Sequence, residues 1–383
     1  MSEFISETYK RAARIQTVVC GFLFSVFSVV YLYVFQRDVL EALHFSLAHG
    51  KTSFAPLASA LIITLVLLLL RWGVNALLRL RNKIWTLSYF PSCLLLGVLT
   101  DVGRDVYTSQ YHTSWGWLLP LLLVLYAGLA FLLRRFWPVR TGGEGEMFGT
   151  LNWNVFFLLV LCGMTVVMGN SDRDFHHELQ VERCLRVGDY GGALETGQRS
   201  LEASRTLTAL RSYAMLRSGQ IGERLFQYPQ YYASDGLFFA CDSLTVLRYT
   251  NDSISALLGE RISFQQRFTD FLGDICYQEK GSHLAVDYYL SSLLLDKRLD
   301  DFFRGLSDFY EPETGLPRCY REAVLLYQTE HADTTWVIAD SVMLRRFEDY
   351  RAERTRLQTT PGGRNLLRKD FGDTYWWYFD YQQ

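Results

Sequence analysis

Two groups of residues have the types and spacing that could support chemistry. Asp101, Arg104 and Asp105 lie together in Asp101-Val102-Gly103-Arg104-Asp105, at the end of an apolar run. Carboxylates so placed could ligate a divalent metal or act as a general base, as transfer from a lipid-linked sugar would require at an outer loop. The plainer reading is a helix end, with Gly103 as terminator and the acids at the water interface. It is preferred because nothing else in the chain supplies a sugar-donor site. The second group is Asp172, Asp174, His176, His177 and Glu178. These are metal-ligand types, but adjacent His176 and His177 point to different faces of a helix. Val181 also stands where H-E-x-x-H spacing needs its second His. Asp174 fits better as a helix N-cap with its neighbours in the first turn.

Seven cysteines complete the reactive inventory. Cys20, Cys93 and Cys162 sit in apolar runs as small apolar residues, whereas Cys184, Cys241, Cys276 and Cys319 occupy the polar half and could pair in three ways or remain free thiols. No C-x-x-C occurs, so neither a zinc ribbon nor a thioredoxin-like site is indicated. Gly142-Gly143-Glu144-Gly145-Glu146 lacks the Lys of a phosphate loop and reads as a cytoplasmic linker. No cofactor is called for.

The elements that must position these residues divide sharply at Asn170. Residues 1–170 hold 13 Lys and Arg against 8 Asp and Glu, and residues 171–383 hold 25 against 32, so a near-neutral chain is a basic, apolar half followed by an acidic, polar one. An acidic second half argues against nucleic-acid binding, which needs a concentrated basic face. Five runs in the first half, near residues 17–35, 54–71, 84–100, 115–133 and 153–169, are long enough to cross a hydrocarbon core of about 30 Å. Arg71 closes the second run, and Leu61–Leu70 is apolar on every face. The basic segment before the first run makes it a signal anchor, because the run exceeds a cleavable core and no A-x-A site follows. With the N-terminus cytoplasmic, inside segments carry Lys10, Arg11, Arg14, Arg71, Arg79, Arg81, Lys83, Arg134, Arg135 and Arg140, against Arg37, Lys51 and Arg104 outside. That bias places residues 171–383 outside. Trp72, Trp85, Trp115, Trp117, Trp137 and Trp153 fit the interfacial belt, and Pro91 and Pro120 start or kink helices.

In the polar half, helical stretches alternate with turn signals. In Val181–Ala203, Gly188-Asp189-Tyr190 is followed by Ala193 and then Ser200-Leu201, which resembles the turn and second helix of a tetratricopeptide repeat. Gly197 stands where an aromatic is usual. A second, degenerate unit spans Leu207–Phe226, and further helices are predicted over His283–Leu295, Leu299–Phe309, Leu316–Thr329 and Trp336–Leu357. Tyr228–Thr250 reads as a loop that re-enters a helix, and the aromatic end Asp373–Gln383 as an extended segment folded back onto the helical array or a surface for a partner or the membrane interface, with core packing preferred.

The order of five spans, Gly-Asp-Tyr repeat, Gly222–Pro229, Leu316–Ala323 and Thr374–Tyr378 resembles uncharacterised multi-spanning membrane proteins of Bacteroidota-type bacteria. The resemblance implies a repeat-like C-terminal region and no known chemistry. The expected fold is all-α: a five-helix transmembrane bundle over residues 1–170, then an α-solenoid-like, tetratricopeptide-like extracytoplasmic domain over 171–383. The expected role is an inner-membrane scaffold, in contact with the lipid bilayer, that binds envelope proteins at the periplasmic face. The alternative is an enzyme or carrier for a lipid-linked substrate near Asp101 and Asp105.

Overall fold

The computed structural model describes residues 2–108, 114–136, 144–240, 248–263, 266–311, 315–331 and 335–382. Among them, every regular element is a helix. The chain divides into two compact units, Met1–His176 and His177–Gln383. Trp137, Arg140, Gly142, Gly143 and Cys241 lie outside the described residues.

The first unit contains five helices long and apolar enough to cross a membrane: Ala13–Phe35, Pro56–Leu78, Asn82–Thr100, Ser114–Phe136 and Phe148–Met168. Their outward residues are apolar, with Leu61, Ile62, Leu65 and Leu69 all more than half exposed, as helices facing lipid require. Cys20, Phe24, Leu67, Tyr89, Leu96 and Leu158 form the common core of the first, second, third and fifth helices. The fourth joins at their side. Its Tyr126 stacks on Phe90 with centroids 5.0 Å apart and donates to the Leu87 carbonyl at 2.8 Å, and its Arg134 reaches the Leu78 carbonyl at 3.1 Å.

Three boundaries differ from the sequence expectation. The second helix continues past Arg71 to Leu78, so this cation lies inside a span rather than closing it. The guanidinium is buried over the rings of Trp85 and Tyr89, 4.1 and 4.8 Å from their centroids, and Nε donates to Ser88 Oγ at 3.3 Å. Cation–π attraction and a hydrogen bond offset the desolvation that would otherwise exclude it. The fifth helix begins at Glu144, so Glu144-Gly145-Glu146 is helical and not linker. The third span is composite, a 3-10 stretch over Asn82–Tyr89 followed by an α-helix over Phe90–Thr100 with Pro91 in its first turn. The hydrogen bonds of a 3-10 segment have poorer geometry than those of an α-helix. Asn154 of the fifth helix reinforces this one: Oδ1 accepts the Thr86 amide at 3.1 Å, and Nδ2 donates to the Asn82 carbonyl at 3.0 Å.

In the second unit, the helices Phe268–Tyr277, His283–Leu295, Leu299–Phe309, Arg318–Glu330 and Ser341–Leu357 pack each against the next. The turn Asp296-Lys297-Arg298 falls where expected. One apolar core runs from Val181 to Tyr378. The helix after Gly-Asp-Tyr is short, Tyr190–Glu195, with Asp189 Oδ1 accepting the Gly192 amide at 2.9 Å. The helix ends where a tetratricopeptide helix would run on: Thr196 turns to an extended conformation with ψ 118°, Gly197 follows at φ +60°, and Ser200-Leu201 lies outside the helix.

The chain's end is helical rather than extended, over Tyr375–Tyr381, with Thr374 as N-cap. As expected it enters the core: Tyr375, Trp376, Trp377 and Tyr378 are buried. Glu322, only 1 % exposed, holds it there. One carboxylate oxygen accepts the Tyr375 amide at 2.7 Å, the other accepts Arg318 Nε at 2.8 Å, and the Glu322 carbonyl accepts Trp376 Nε1 at 2.7 Å. Arg318 also reaches Asp373 at 2.9 Å. Burial pushes the Glu322 carboxyl up to about 6, against the downward pull of Arg318 and the Tyr375 amide.

A carboxyl that binds its proton more tightly folded than unfolded stabilises most below its unfolded pKa, and that contribution declines as pH rises through the folded value. From about one pH unit below 4.5 to about one unit above 6, the unfolding free energy should therefore fall by about 2 kcal/mol relative to Glu322→Gln, which does not titrate. Denaturant unfolding at a series of pH values measures this. Parallel pH profiles for the two proteins would contradict it.

Candidate functional site

The two acidic groups singled out above fall at the ends of the third and fifth helices, where the regular backbone stops. The third helix ends at Thr100, with Asp101 as its C-cap, so termination comes three residues before Gly103. Asn170 follows the fifth helix and ties this turn together. Its amide donates to the Thr100 carbonyl at 2.9 Å, and its side-chain Nδ2 donates to the Val102 carbonyl at 2.6 Å. Oδ1 accepts the Asp172 amide at 2.7 Å. The Asn170 carbonyl accepts Gln36 Nε2 at 3.2 Å and His176 Nε2 at 3.1 Å. Beneath it, the Tyr31 hydroxyl lies 3.1 Å from Thr100 Oγ1.

Asp172, rather than Asp174, caps the next helix: Oδ1 accepts the amides of Asp174 and Phe175 at 3.0 and 3.2 Å. The cap sits one residue before the helix start at Arg173, which places Asp174 in the first turn. Its second oxygen pairs with Arg104 at 2.5 Å. Burial raises the Asp172 carboxyl, but the Phe175 amide, Arg104 and the Asp174 amide outweigh it and hold the group below its usual range. Asp101 Oδ2 accepts Trp115 Nε1 at 2.7 Å, and Asp105 opens the short helix Asp105–Thr108.

The structure thus joins Arg104 to Asp172 and His176 to Asn170, and turns Asp101 toward Trp115. His177 belongs to the second unit, where its ring packs beside Gly197. Among the described residues, no three His, Cys, Asp or Glu side chains converge to hold a metal ion. Asn170, Gln36, Tyr31 and Thr100 were missed by a search for acids and bases. The available signal was Gly169-Asn170 directly after an apolar run, a pair suited to satisfying helix-end carbonyls.

A second convergence lies in the other unit. Gly222 approaches Pro317 and Tyr320 so closely that a Cβ would sit 2.7 Å from the Pro317 ring. Phe226 packs on Tyr375 and Tyr378, with centroids 5.1 and 4.9 Å apart. The segments 222–229, 316–323 and 374–378 therefore meet at one place. Beside it opens a cleft of about 220 Å³ lined by Gln198, Gln227, Tyr228, Asp373 and Trp377. Cys276 and Cys319 are buried thiols, the first pushed up to about 12 by burial and the second also pushed up, so both are poor nucleophiles. Cys184 is half-buried.

If the Asn170 turn is structural, substitutions there should rank by the partners they orphan. Asn170→Ala leaves the Val102 carbonyl and the Asp172 amide unpaired and should cost about 1–3 kcal/mol. Gly169→Ala drives a methyl against the Tyr31 and Thr100 hydroxyls and should cost about as much, roughly 1–3 kcal/mol. Asp101→Asn keeps an acceptor for Trp115 and should change stability by less than about 0.5 kcal/mol. Thermal unfolding of the detergent-solubilised chain orders the three.

A family described as a family of unknown function (DUF6057) matches residues 104–266 and 247–382. No curated protein and no solved structure matches the chain.

Proposed function

The chain belongs to this family of unknown function, and from that starting point we propose that it is a membrane-anchored helical scaffold. In this reading the five apolar helices form a transmembrane domain in a bacterial inner membrane with the N-terminus cytoplasmic. The polar half is a tetratricopeptide-like array in the periplasm that binds envelope proteins. The excess of Lys and Arg in alternate loops supports the orientation, and the succession of packed helix pairs supports the repeat architecture. Anchoring would raise the array's effective concentration for neighbouring membrane proteins.

The observation that carries this reading is the engagement of the candidate catalytic side chains in structural contacts. Asp101 is held by Trp115, and Arg104 is consumed by the helix cap at Asp172. An enzyme or carrier acting on a lipid-linked substrate at Asp101 and Asp105 would need these groups presented to that substrate. The cleft beside Trp377, walled by aromatic rings and side-chain amides, has the composition to engage a peptide segment.

Complementation of a deletion strain separates the readings. Asp101→Asn and Asp105→Asn should restore the phenotype fully, and a chain lacking residues 177–383 should not. A photo-crosslinking residue at Gln227 of the full chain should capture envelope proteins. Loss of complementation by the Asn variants, at normal protein levels, would favour the enzyme. Alkaline phosphatase fused after Gln383 should be active, and a stable but inactive fusion would reverse the orientation.

A further inference from the structure

The second half of the chain is acidic, yet one part of it is strongly basic. Residues 341–372 carry 8 Lys and Arg against 4 Asp and Glu, within a half whose balance is 25 against 32. This reversal coincides with a cavity. The helix Ser341–Leu357 and its C-cap Gln358, still in helical conformation, place Arg351, Arg354, Thr355 and Gln358 at successive i, i+3, i+4 and i+7 positions, which share one helical face. That face lines an open cavity of about 720 Å³, bordered elsewhere by Thr360, the start of the helix Gly363–Phe371, and Asp380 and Tyr381 of the terminal helix.

Three guanidiniums meet there against one carboxylate. Asp380 is already engaged, accepting the Tyr350 hydroxyl and Arg354 at 3.0 Å. Arg364 is steadied by a 2.7 Å bond to the Tyr381 carbonyl. Arg351 rests 5.9 Å from the Phe347 ring centroid, and its guanidinium has no hydrogen-bond or ion-pair partner among the described residues. Held on their stems in this way, the three present planar donor edges without a full set of anions. The loop entering the short helix is built for close approach. Gly362 has φ +77°, and a Cβ on Gly363 would collide with the Leu357 carbonyl, so two consecutive positions carry no side chain beside the cations. The positive end of the Gly363–Phe371 helix adds to the same potential, and Thr355, Thr360 and Asn365 supply neutral hydrogen-bonding groups.

We propose that this cavity between Arg351, Arg354 and Arg364 binds a phosphate-type dianion, carried either by a soluble phosphate compound or by a lipid headgroup. Arginine forks match phosphate oxygens in pairs, and a net excess of two positive charges selects a dianion over a carboxylate. The site is open to solvent, so its affinity falls as salt rises.

The full chain in phosphatidylcholine nanodiscs should bind pyrophosphate saturably by calorimetry. Arg351→Gln and Arg364→Gln should each weaken binding about tenfold, the loss of one charge-assisted contact. Arg356→Gln, which lies outside the cavity and breaks only the pair with Glu353, should leave it unchanged. Flotation of the nanodiscs with phosphatidic acid vesicles, whose monoester headgroup can carry two negative charges, but not with phosphatidylcholine vesicles, would assign the dianion site to a headgroup if Arg351→Gln abolishes it. Pyrophosphate binding without flotation would assign the site to a soluble ligand. Failure of both ligands to bind, or binding that survives in the folded Arg351→Gln, Arg364→Gln double variant, would overturn the proposal.

Discussion

A composite span has to borrow its hydrogen bonds, and the first unit is arranged around that need. The third helix is α-helical only over Phe90–Thr100, its 3-10 start has weaker bond geometry, and the termini of any helix leave backbone groups without intrahelical partners. In an apolar surrounding such groups cost several kcal/mol, roughly as much as a small domain's net stability margin. Asn154, ten residues into the fifth helix, and Asn170, just past its end, serve the start and the end of the third: one meets Thr86 and Asn82, the other Thr100 and Val102. Between them, Thr165 Oγ1 donates to the Cys93 carbonyl at 3.2 Å, so the two helices are fastened along their length. The position of Arg71 follows from the same arrangement, because the 3-10 stretch carries Trp85, Ser88 and Tyr89 to the cation.

The second unit depends on an equivalent fastening, with a charge at its centre. Glu322 spends both oxygens on Arg318 and the Tyr375 amide, and its own carbonyl on Trp376. The terminal helix is thereby fixed in the middle of the core, and Tyr378 extends the connection to the Leu295 carbonyl at 2.6 Å. The same helix delivers Asp380 and Tyr381 to the basic cavity. A buried ion pair of this kind adds little net stability over apolar packing, but its geometric demands fix where the helix sits.

Long helices with distinctive patterns were legible from the sequence. The spans were visible as unbroken apolar runs, and the turn at Asp296-Lys297-Arg298 was visible because apolar periodicity stops on one side and resumes on the other. Boundaries that depend on a neighbour were less so. Arg71 looked like the end of a run because its charge is costly in isolation, and the rings that offset that cost lie 14 and 18 residues later. The tetratricopeptide-like pattern predicts a longer helix after Tyr190, and the chain leaves it at Thr196, followed by left-handed backbone at Gly197. At the candidate site, acids drew attention by type, whereas the residue that organises the turn is an uncharged amide, Asn170.

Taken alone, the sequence determined that the chain is helical, that five of its segments are long and apolar enough to cross a membrane, and that opposite charge balances separate its halves. These are consequences of local composition and period, which act over one helix at a time. Only the tertiary structure decided which polar side chains are free for chemistry and which are spent on packing. Asp101, Arg104 and Asp172 have the same identity in either case, and partners distant in sequence or on another helix assign them to hydrogen bonds and caps. The basic cavity is likewise a tertiary product: a helical face contributes Arg351 and Arg354, but a turn and the chain's last helix are needed to border it.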